Sequence, residues 1–200
     1  MDFINLPDAF CWTKMGTESG ESVRLILTLK ESQRKLGEGI FFWGIGTALG
    51  NRIWKLVDSV KPALVLFSPM KSKPKQIDVH PDVVVDWKTY IDRCGVRHAI
   101  PSYARVTSRG SSSISIKTRH YALVCRKTSP LLDDQWPVVD MARMRNYDGG
   151  ARLGYSQITA IVEYDNPNMP VSQPEINYPV LFGAELVHPY YVILTDPVQI

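Results

Sequence analysis

The sequence predicts an α+β protein built on a mostly antiparallel, barrel-like β-sheet. Helical patterns occur only in the first 60 residues, and many short apolar stretches bounded by Gly, Pro and Ser follow them. With 200 residues, 44% of them apolar and 10% aromatic, the chain has enough apolar side chains to build a hydrophobic core. Two early helices followed by many short strands are typical of an α+β fold whose sheet curls into a barrel.

Two amphipathic stretches predict the helices. The first predicted helix covers residues 22–36, is capped by Ser19 or Ser22, and ends at Gly37. The second covers residues 51–60 and ends where proline follows lysine. Side chains spaced about one helical turn apart give the first helix its apolar face: Leu25, Ile26, Leu29 and Leu36.

Short apolar or alternating stretches predict the strands. The last two of these stretches are expected to form a hairpin around His188-Pro189. The basic stretch 70–81, the serine-rich turn 108–113 and the proline-rich stretch 166–178 are predicted to be irregular. The predicted strands cover residues 39–44, 63–67, 83–90, 99–107, 119–127, 156–164, 180–187 and 190–194.

Charge is distributed unevenly along the chain. Residues 43–130 hold 15 Lys and Arg against 5 Asp and Glu, a net charge of +10, whereas residues 131–200 hold 3 against 9, a net charge of −6. This asymmetry predicts a core with an N-terminal helix over residues 1–130 and an acidic C-terminal extension over 131–200, with one domain over 1–200 as the alternative. A basic block interspersed with Trp and Tyr is typical of a surface that binds phosphates and stacks on bases.

Several functional classes are excluded at this stage. No apolar stretch reaches the length of a transmembrane helix, and the N-terminal residues lack the pattern of a secretory signal. The three cysteines form no C-x-x-C pair, and the four histidines have no metal-ligand spacing. The sequence therefore predicts a cytoplasmic protein without a membrane partner, a metal or another cofactor. Its oligomeric state is left open.

A glycine cluster and one carboxylate are the local motifs of interest. The cluster at 44–50 departs from G-x-G-x-x-G by one residue, and no acid follows at the distance of a ribose ligand, which argues against a dinucleotide site. Asp86 directly follows three valines and precedes Trp87. Burial among apolar neighbours disfavours a carboxylate's charged form, which is how general bases are tuned. The alternative, which the usual exposure of carboxylates favours, is an exposed surface pair with Lys88.

The stretch 38–73, EGIFFWGIGTALGNRIWKLVDSVKPALVLFSPMKSK, resembles the central part of PUA-like domains, especially YTH and EVE domains. The resemblance implies a small β-barrel that holds a modified base in an aromatic pocket. It implies Trp43 as one wall, Thr47 and Asn51 as polar groups near the base or its phosphate, and Ser68 at the end of the next strand. Three aromatic residues compete for the second wall: Trp54, Trp87 and Tyr103.

These observations predict a PUA-like nucleic-acid-binding protein that accommodates a flipped, modified base, with DNA favoured over RNA. The context we expect is prokaryotic defence against phage DNA that carries modified bases. Base contacts are expected from the residues above, and phosphate contacts from a basic set: Arg52, Lys71, Lys73, Lys75 and Arg109.

Two other functions stay open. A DNA glycosylase would hydrolyse the N-glycosidic bond of the flipped nucleotide and leave an abasic site, with Asp86 as the catalytic carboxylate. A protein-interaction module would instead match the basic and acidic parts of the chain. Affinity for nucleic acid falls steeply with salt, which distinguishes the first two functions from the third.

Overall fold

The computed structural model describes residues 5–16, 22–71, 83–110, 119–154, 156–165 and 177–199, with the backbone alone for 83–84 and 108–110. In these ranges the chain forms two α-helices, α1 (Val23–Leu36) and α2 (Arg52–Ser59). The first seven strands are β1 (Ala9–Met15), β2 (Ile40–Ile45), β3 (Leu64–Pro69), β4 (Val83–Ile91), β5 (Arg97–Ala99), β6 (Val106–Gly110) and β7 (Tyr121–Arg126). The other five are β8 (Val139–Asp140), β9 (Met144–Asn146), β10 (Thr159–Tyr164), β11 (Asn177–Tyr178) and β12 (Phe182–Gln199).

Ten of these strands belong to one sheet, and β8 pairs separately with β11. The main path runs β2-β7-β12-β3-β1-β10-β9, and β4 pairs with β12, β5 and β6. The registered ladders are antiparallel except that of β1 with β3, which is parallel. The mixture of helices with a large, mostly antiparallel sheet is confirmed. Among the described strands the pairing does not close into a ring, so the predicted barrel is not confirmed.

Two compact units share the chain. The described residues of the first unit lie within 1–15, 49–71 and 129–186, and those of the second lie within 16–48, 72–128 and 187–200. The units therefore interleave along the sequence. The predicted boundary at residue 130 lies next to the point at which the chain passes from the second unit into the first.

The first unit has a core formed by the β10-β1-β3 strands and the β8–β11 pair. Every side chain of β1 is buried, including two polar ones. Thr13 is satisfied by the hydroxyl of Thr159, with the two oxygens 2.8 Å apart, and helix α2 packs against β1 and β10. The core side chains include Phe10, Trp12, Leu66, Val139, Met141, Met144, Val162, Tyr164, Tyr178 and Val180.

The second unit has a core between the β2–β7 pair and the β4 ladders. Trp87 and Tyr103 both belong to this core, the first fully packed and the second partly buried. The other core side chains include Phe42, Val85, Ala104, Val106, Ala122, Val124, Val192 and Leu194.

Helix α1 is confirmed, but the leucines of its apolar face, which were expected to be buried, are exposed, and polar side chains are buried in their place. Ser22 is the cap, since its Oγ accepts a hydrogen bond from the backbone N–H of Leu25 at 3.2 Å. Leu25, Leu29 and Leu36 are exposed, whereas Gln33 and Arg34 are buried. Polar side chains attach the helix instead: Lys30, Gln33 and Arg34 donate to the carbonyls of Phe42, Arg105 and Thr128.

One predicted strand and the predicted hairpin differ from the structure. Residues 99–107 do not form one strand, because Pro101 starts a single 3₁₀ turn at Ser102–Ala104 between β5 and β6. The expected hairpin around His188-Pro189 is wrong, since β12 runs through that point as one strand. Its residues 182–185 pair with β3 and its residues 193–199 pair with β4. Pro189, which has no N–H to donate, lies outside both of these ladders.

Candidate functional site

The segment that resembles PUA-like domains folds as strand β2, a turn, helix α2 and strand β3. Trp43 lies near the end of β2 with only 7% of its surface exposed, and the Lys30 ammonium lies 5.8 Å from its ring centroid. Thr47 is exposed in the turn. Asn51 and Arg52 are also exposed at the start of α2, and the Asn51 side chain makes no capping hydrogen bond. This turn therefore presents polar and cationic side chains to solvent.

Ser68 is placed differently from these exposed residues. It is fully buried near the end of β3, and its Oγ accepts a hydrogen bond from Nε1 of Trp12 at 3.0 Å. The neighbouring strand end carries Lys14, which lies opposite Ser68 in the parallel β1–β3 ladder. Ser68 thus fixes the indole of Trp12 beside the side chain of a buried lysine.

An aromatic–lysine cluster surrounds that indole and consists of Trp12, Lys14, Lys71 and Tyr178. The two rings meet edge to face, with centroids 5.2 Å apart and planes at 72°. The Lys14 ammonium lies 5.3 Å from both centroids, and the exposed Lys71 ammonium lies 4.8 Å from that of Tyr178. Burial raises the pKa of the Tyr178 hydroxyl. Lysine side chains and aromatic rings therefore meet where the basic stretch 70–81 begins.

Asp86 is buried and not the exposed surface group of the alternative interpretation. Its side chain is 8% exposed, and its Oδ2 lies 2.7 Å from Nζ of Lys88 and 3.3 Å from Nε of Arg105. Both cations are about half exposed. One oxygen of the carboxylate therefore lies within ion-pair distance of two positive charges. Next to it, the Trp87 ring lies in the core, 5.0 Å from that of His120.

The remaining predicted residues are less informative. Trp54 is partly buried on α2, and Tyr103 packs against Gly37, where a Cβ would lie 2.3 Å from the ring. The backbone of Arg109 pairs with Val84 in the β4–β6 ladder. Lys73 and Lys75 fall outside the described residues.

Three buried polar atoms in the first unit have no hydrogen-bond partner among the described residues: Nε1 of Trp136, Oδ2 of Asp140 and Oδ1 of Asn177. Sequence reasoning missed all three residues. A signal was present for Asp140, because it follows Val138 and Val139 as Asp86 follows its valines. Nothing local marks Asn177, which meets Asp140 only through the β8–β11 pairing.

The described residues contain neither a cluster that could bind a metal ion nor a helix that could span a membrane. It contains no group of three or more His, Cys, Asp or Glu side chains that could hold a metal ion. None of the helices in the ranges described is long and apolar enough to cross a membrane.

Comparison with known proteins adds no family to this geometry. No family model, no curated protein and no solved structure matches the chain.

Proposed function

We propose that this protein binds nucleic acid, with DNA favoured over RNA, and accommodates a flipped, modified base on a PUA-like fold. The proposed setting is the prokaryotic cytoplasm, in defence against phage DNA with modified bases. The observation that carries the proposal is the aromatic–lysine cluster at the start of the basic stretch. There a cation that can contact phosphate lies 4.8 Å from the centre of an aromatic ring.

The energetics of base flipping agree with such a combination. Taking a base out of the stack costs a few kcal/mol. Stacking on an aromatic side chain returns about 1–3 kcal/mol per base, and phosphate contacts supply a further, salt-dependent contribution. The net charge of +10 over residues 43–130 makes that contribution large.

Trp43 is proposed as one wall of the base pocket, and Thr47 and Asn51 are proposed as polar contacts to the base or its phosphate. Arg52 and Lys71, both exposed, are proposed as phosphate contacts. Since Trp43 is itself only 7% exposed, contact with a base requires a rearrangement of the side chains around its ring.

A mobility-shift panel tests the proposal. The purified chain is mixed at low salt with duplex DNA carrying ordinary, methylated, hydroxymethylated or glucosylated cytosine, and with matching RNA. We expect a shift that depends on the base, and we expect Trp43→Ala to abolish this discrimination. Trp43→Phe, which keeps a ring, is the matched control, and urea unfolding of both variants monitors the loss of a buried side chain. No shift with any substrate would overturn the proposal.

The second candidate function is a DNA glycosylase, and the burial of Asp86 favours it. Its side chain is 8% exposed and lies next to the core that contains Trp87, so a carboxylate is held there in a largely water-excluded position. Strand breaks after alkali treatment, confined to one modified substrate, would indicate base excision. If Asp86→Asn retained full activity, the assignment of that carboxylate would be wrong.

A further inference from the structure

One buried carboxylate in the second unit holds two cations together. Asp86 and Lys88 are two positions apart in β4, so their side chains leave the strand on the same side. Nζ of Lys88 donates a hydrogen bond to Oδ2 of Asp86 at 2.7 Å, and Nε of Arg105 lies 3.3 Å from the same oxygen. The two nitrogen atoms are therefore separated by no more than the sum of these distances.

The three groups together carry a surplus of positive charge. Two cations share one carboxylate, which leaves one positive charge without a counter-charge inside the trio. The carboxylate is largely buried, whereas the side chains of Lys88 and Arg105 are 53% and 54% exposed. Like charges so close together repel each other, and an anion bound from the solvent side would offset that repulsion.

The backbone fixes the positions from which both cations extend. The carbonyl of Lys88 accepts a hydrogen bond from the N–H of Ile100 at 2.9 Å, and the carbonyl of Arg105 accepts one from Nε2 of Gln33 at 2.7 Å. Val106, which follows Arg105, is paired in the β4–β6 ladder. Because both side chains start from an anchored backbone and converge on one carboxylate, less entropy is lost when a ligand binds to them.

An anion with several acceptor oxygens fits this pair of cations. An ammonium has three N–H donors and a guanidinium has five, so both groups have more donors than one carboxylate oxygen can accept. Arginine binds phosphate through two parallel hydrogen bonds, and lysine binds it as a point charge. Each phosphodiester of a nucleic-acid backbone carries a single negative charge, which matches the surplus of the trio.

We infer that Lys88 and Arg105 bind a phosphodiester of the nucleic-acid backbone, and that Asp86 is the positioning residue that sets the two cations. The inference rests on the proposed function and adds two residues to its phosphate contacts. It gives Asp86 a role in binding, in place of the catalytic role that a glycosylase would require. Phosphate contacts orient the nucleic acid on the protein and do not themselves distinguish between bases.

Salt titrations of the full chain test the two cations. Lys88→Gln and Arg105→Gln should each reduce the slope of log affinity against log salt concentration by about 0.9 for duplex DNA. Each should weaken binding by the same factor for ordinary and modified cytosine, because a phosphate contact does not read the base. The matched control is Arg97→Gln, since Arg97 is similarly exposed but forms its ion pair with an exposed carboxylate, that of Asp196. Its slope should change by less than half as much, and unchanged slopes in both test variants would overturn the inference.

The sign of the effect of Asp86→Asn tests the positioning role. If Asp86 acted only through its charge, its removal would strengthen binding to an anion. If it positions the cations, the variant should bind at least about threefold more weakly, because the phosphate then has to order two flexible side chains by itself. Asparagine is close to aspartate in size, and urea unfolding checks that the variant is folded. Unchanged or tighter binding by the folded variant would overturn the role of Asp86.

A titration with inorganic phosphate distinguishes failure of this inference from failure of the proposed function. In isotope-labelled protein, phosphate should shift the Nε resonance of Arg105, and acetate should shift it less. A response to phosphate without binding of any DNA or RNA would overturn the proposed function and leave the phosphate site intact. Binding of DNA with unchanged slopes would overturn the site and leave nucleic-acid binding intact. An equal response to acetate would overturn the preference for phosphate, and no response to phosphate or nucleic acid would overturn both proposals.

Discussion

Nε2 of Gln33 donates a hydrogen bond to the backbone carbonyl oxygen of Arg105, with the two atoms 2.7 Å apart. This buried amide lies on the side of α1 that faces the core of its unit, whereas Leu29 lies exposed on the same helix. Helix α1 is therefore attached through backbone carbonyls rather than through its leucines.

The first prediction concerns this attachment. Gln33→Leu should lower the free energy of unfolding by about 1–3 kcal/mol, because the Arg105 carbonyl loses its donor. Leu29→Gln should change it by less than about 0.5 kcal/mol, because Leu29 is exposed and glutamine is a good helix former. Urea unfolding of both variants provides the measurement. The opposite order of the two effects would show that the leucine face is the buried one.

The second prediction concerns Lys71. If its ammonium contacts phosphate, Lys71→Gln should reduce the slope of log affinity against log salt concentration by about 0.9 for duplex DNA. Lys55→Gln is the matched control, since Lys55 forms an ion pair with Asp148. Titrations at several salt concentrations measure both slopes. A slope equal to that of the unchanged protein would remove Lys71 from the phosphate contacts.

The third prediction concerns the thiols. Cys94 is exposed, whereas Cys11 and Cys125 are fully buried, and burial raises the pKa of the Cys125 thiol. Since the thiolate is the reactive form, an aromatic disulfide reagent should modify one thiol quickly in the folded protein and all three in denaturant. The count is read from the absorbance released. Two fast thiols in the folded state would contradict the burial of Cys11 or Cys125.

The fourth prediction concerns alkaline pH. Burial raises the pKa of Tyr164 and of Tyr178 in the folded protein. Well below a pH of about 10, the ordinary pKa of tyrosine, both hydroxyls are protonated in the folded and unfolded states, so they add no pH dependence. At higher pH the unfolded chain loses these protons first, and the free energy of unfolding should fall as pH rises. Urea midpoints from pH 8 upward measure the fall.

Tyr178→Phe provides the control for this effect. It removes one hydroxyl while keeping the ring, so the fall at alkaline pH should become smaller. A variant with an unchanged alkaline profile would show that Tyr178 ionises equally easily in both states.

Local sequence patterns predicted the elements that are marked by signals within a few residues of their own ends, such as Gly, Pro and the spacing of apolar side chains. Helix α1 ends at Gly37, α2 ends before Lys61-Pro62, and β3 ends near Ser68-Pro69, all close to their expected positions. Strand β1 was not predicted, because both of its faces are buried and Lys14 interrupts the apolar pattern. Its burial depends on rings contributed by residues as distant as Tyr178.

The candidate site was harder to predict, because it also depends on contacts between residues that are far apart in the sequence. Asp86 stood out because it follows a run of valines, and the structure does bury it. Asp140 follows a similar run, but its position opposite Asn177, 37 positions further along the chain, arises only from the β8–β11 pairing. Pairings of this kind depend on tertiary structure, which local periodicity does not encode.

Strand β12 also limits how this protein can be taken apart or recombined. Its first residues complete the ladder of β3 in one unit, and its last residues complete that of β4 in the other. A gene fragment that ends before Phe182 removes a partner strand from both units at once. Neither unit can therefore be transplanted into another protein as a continuous cassette, and any engineering of base specificity has to proceed by substituting individual side chains.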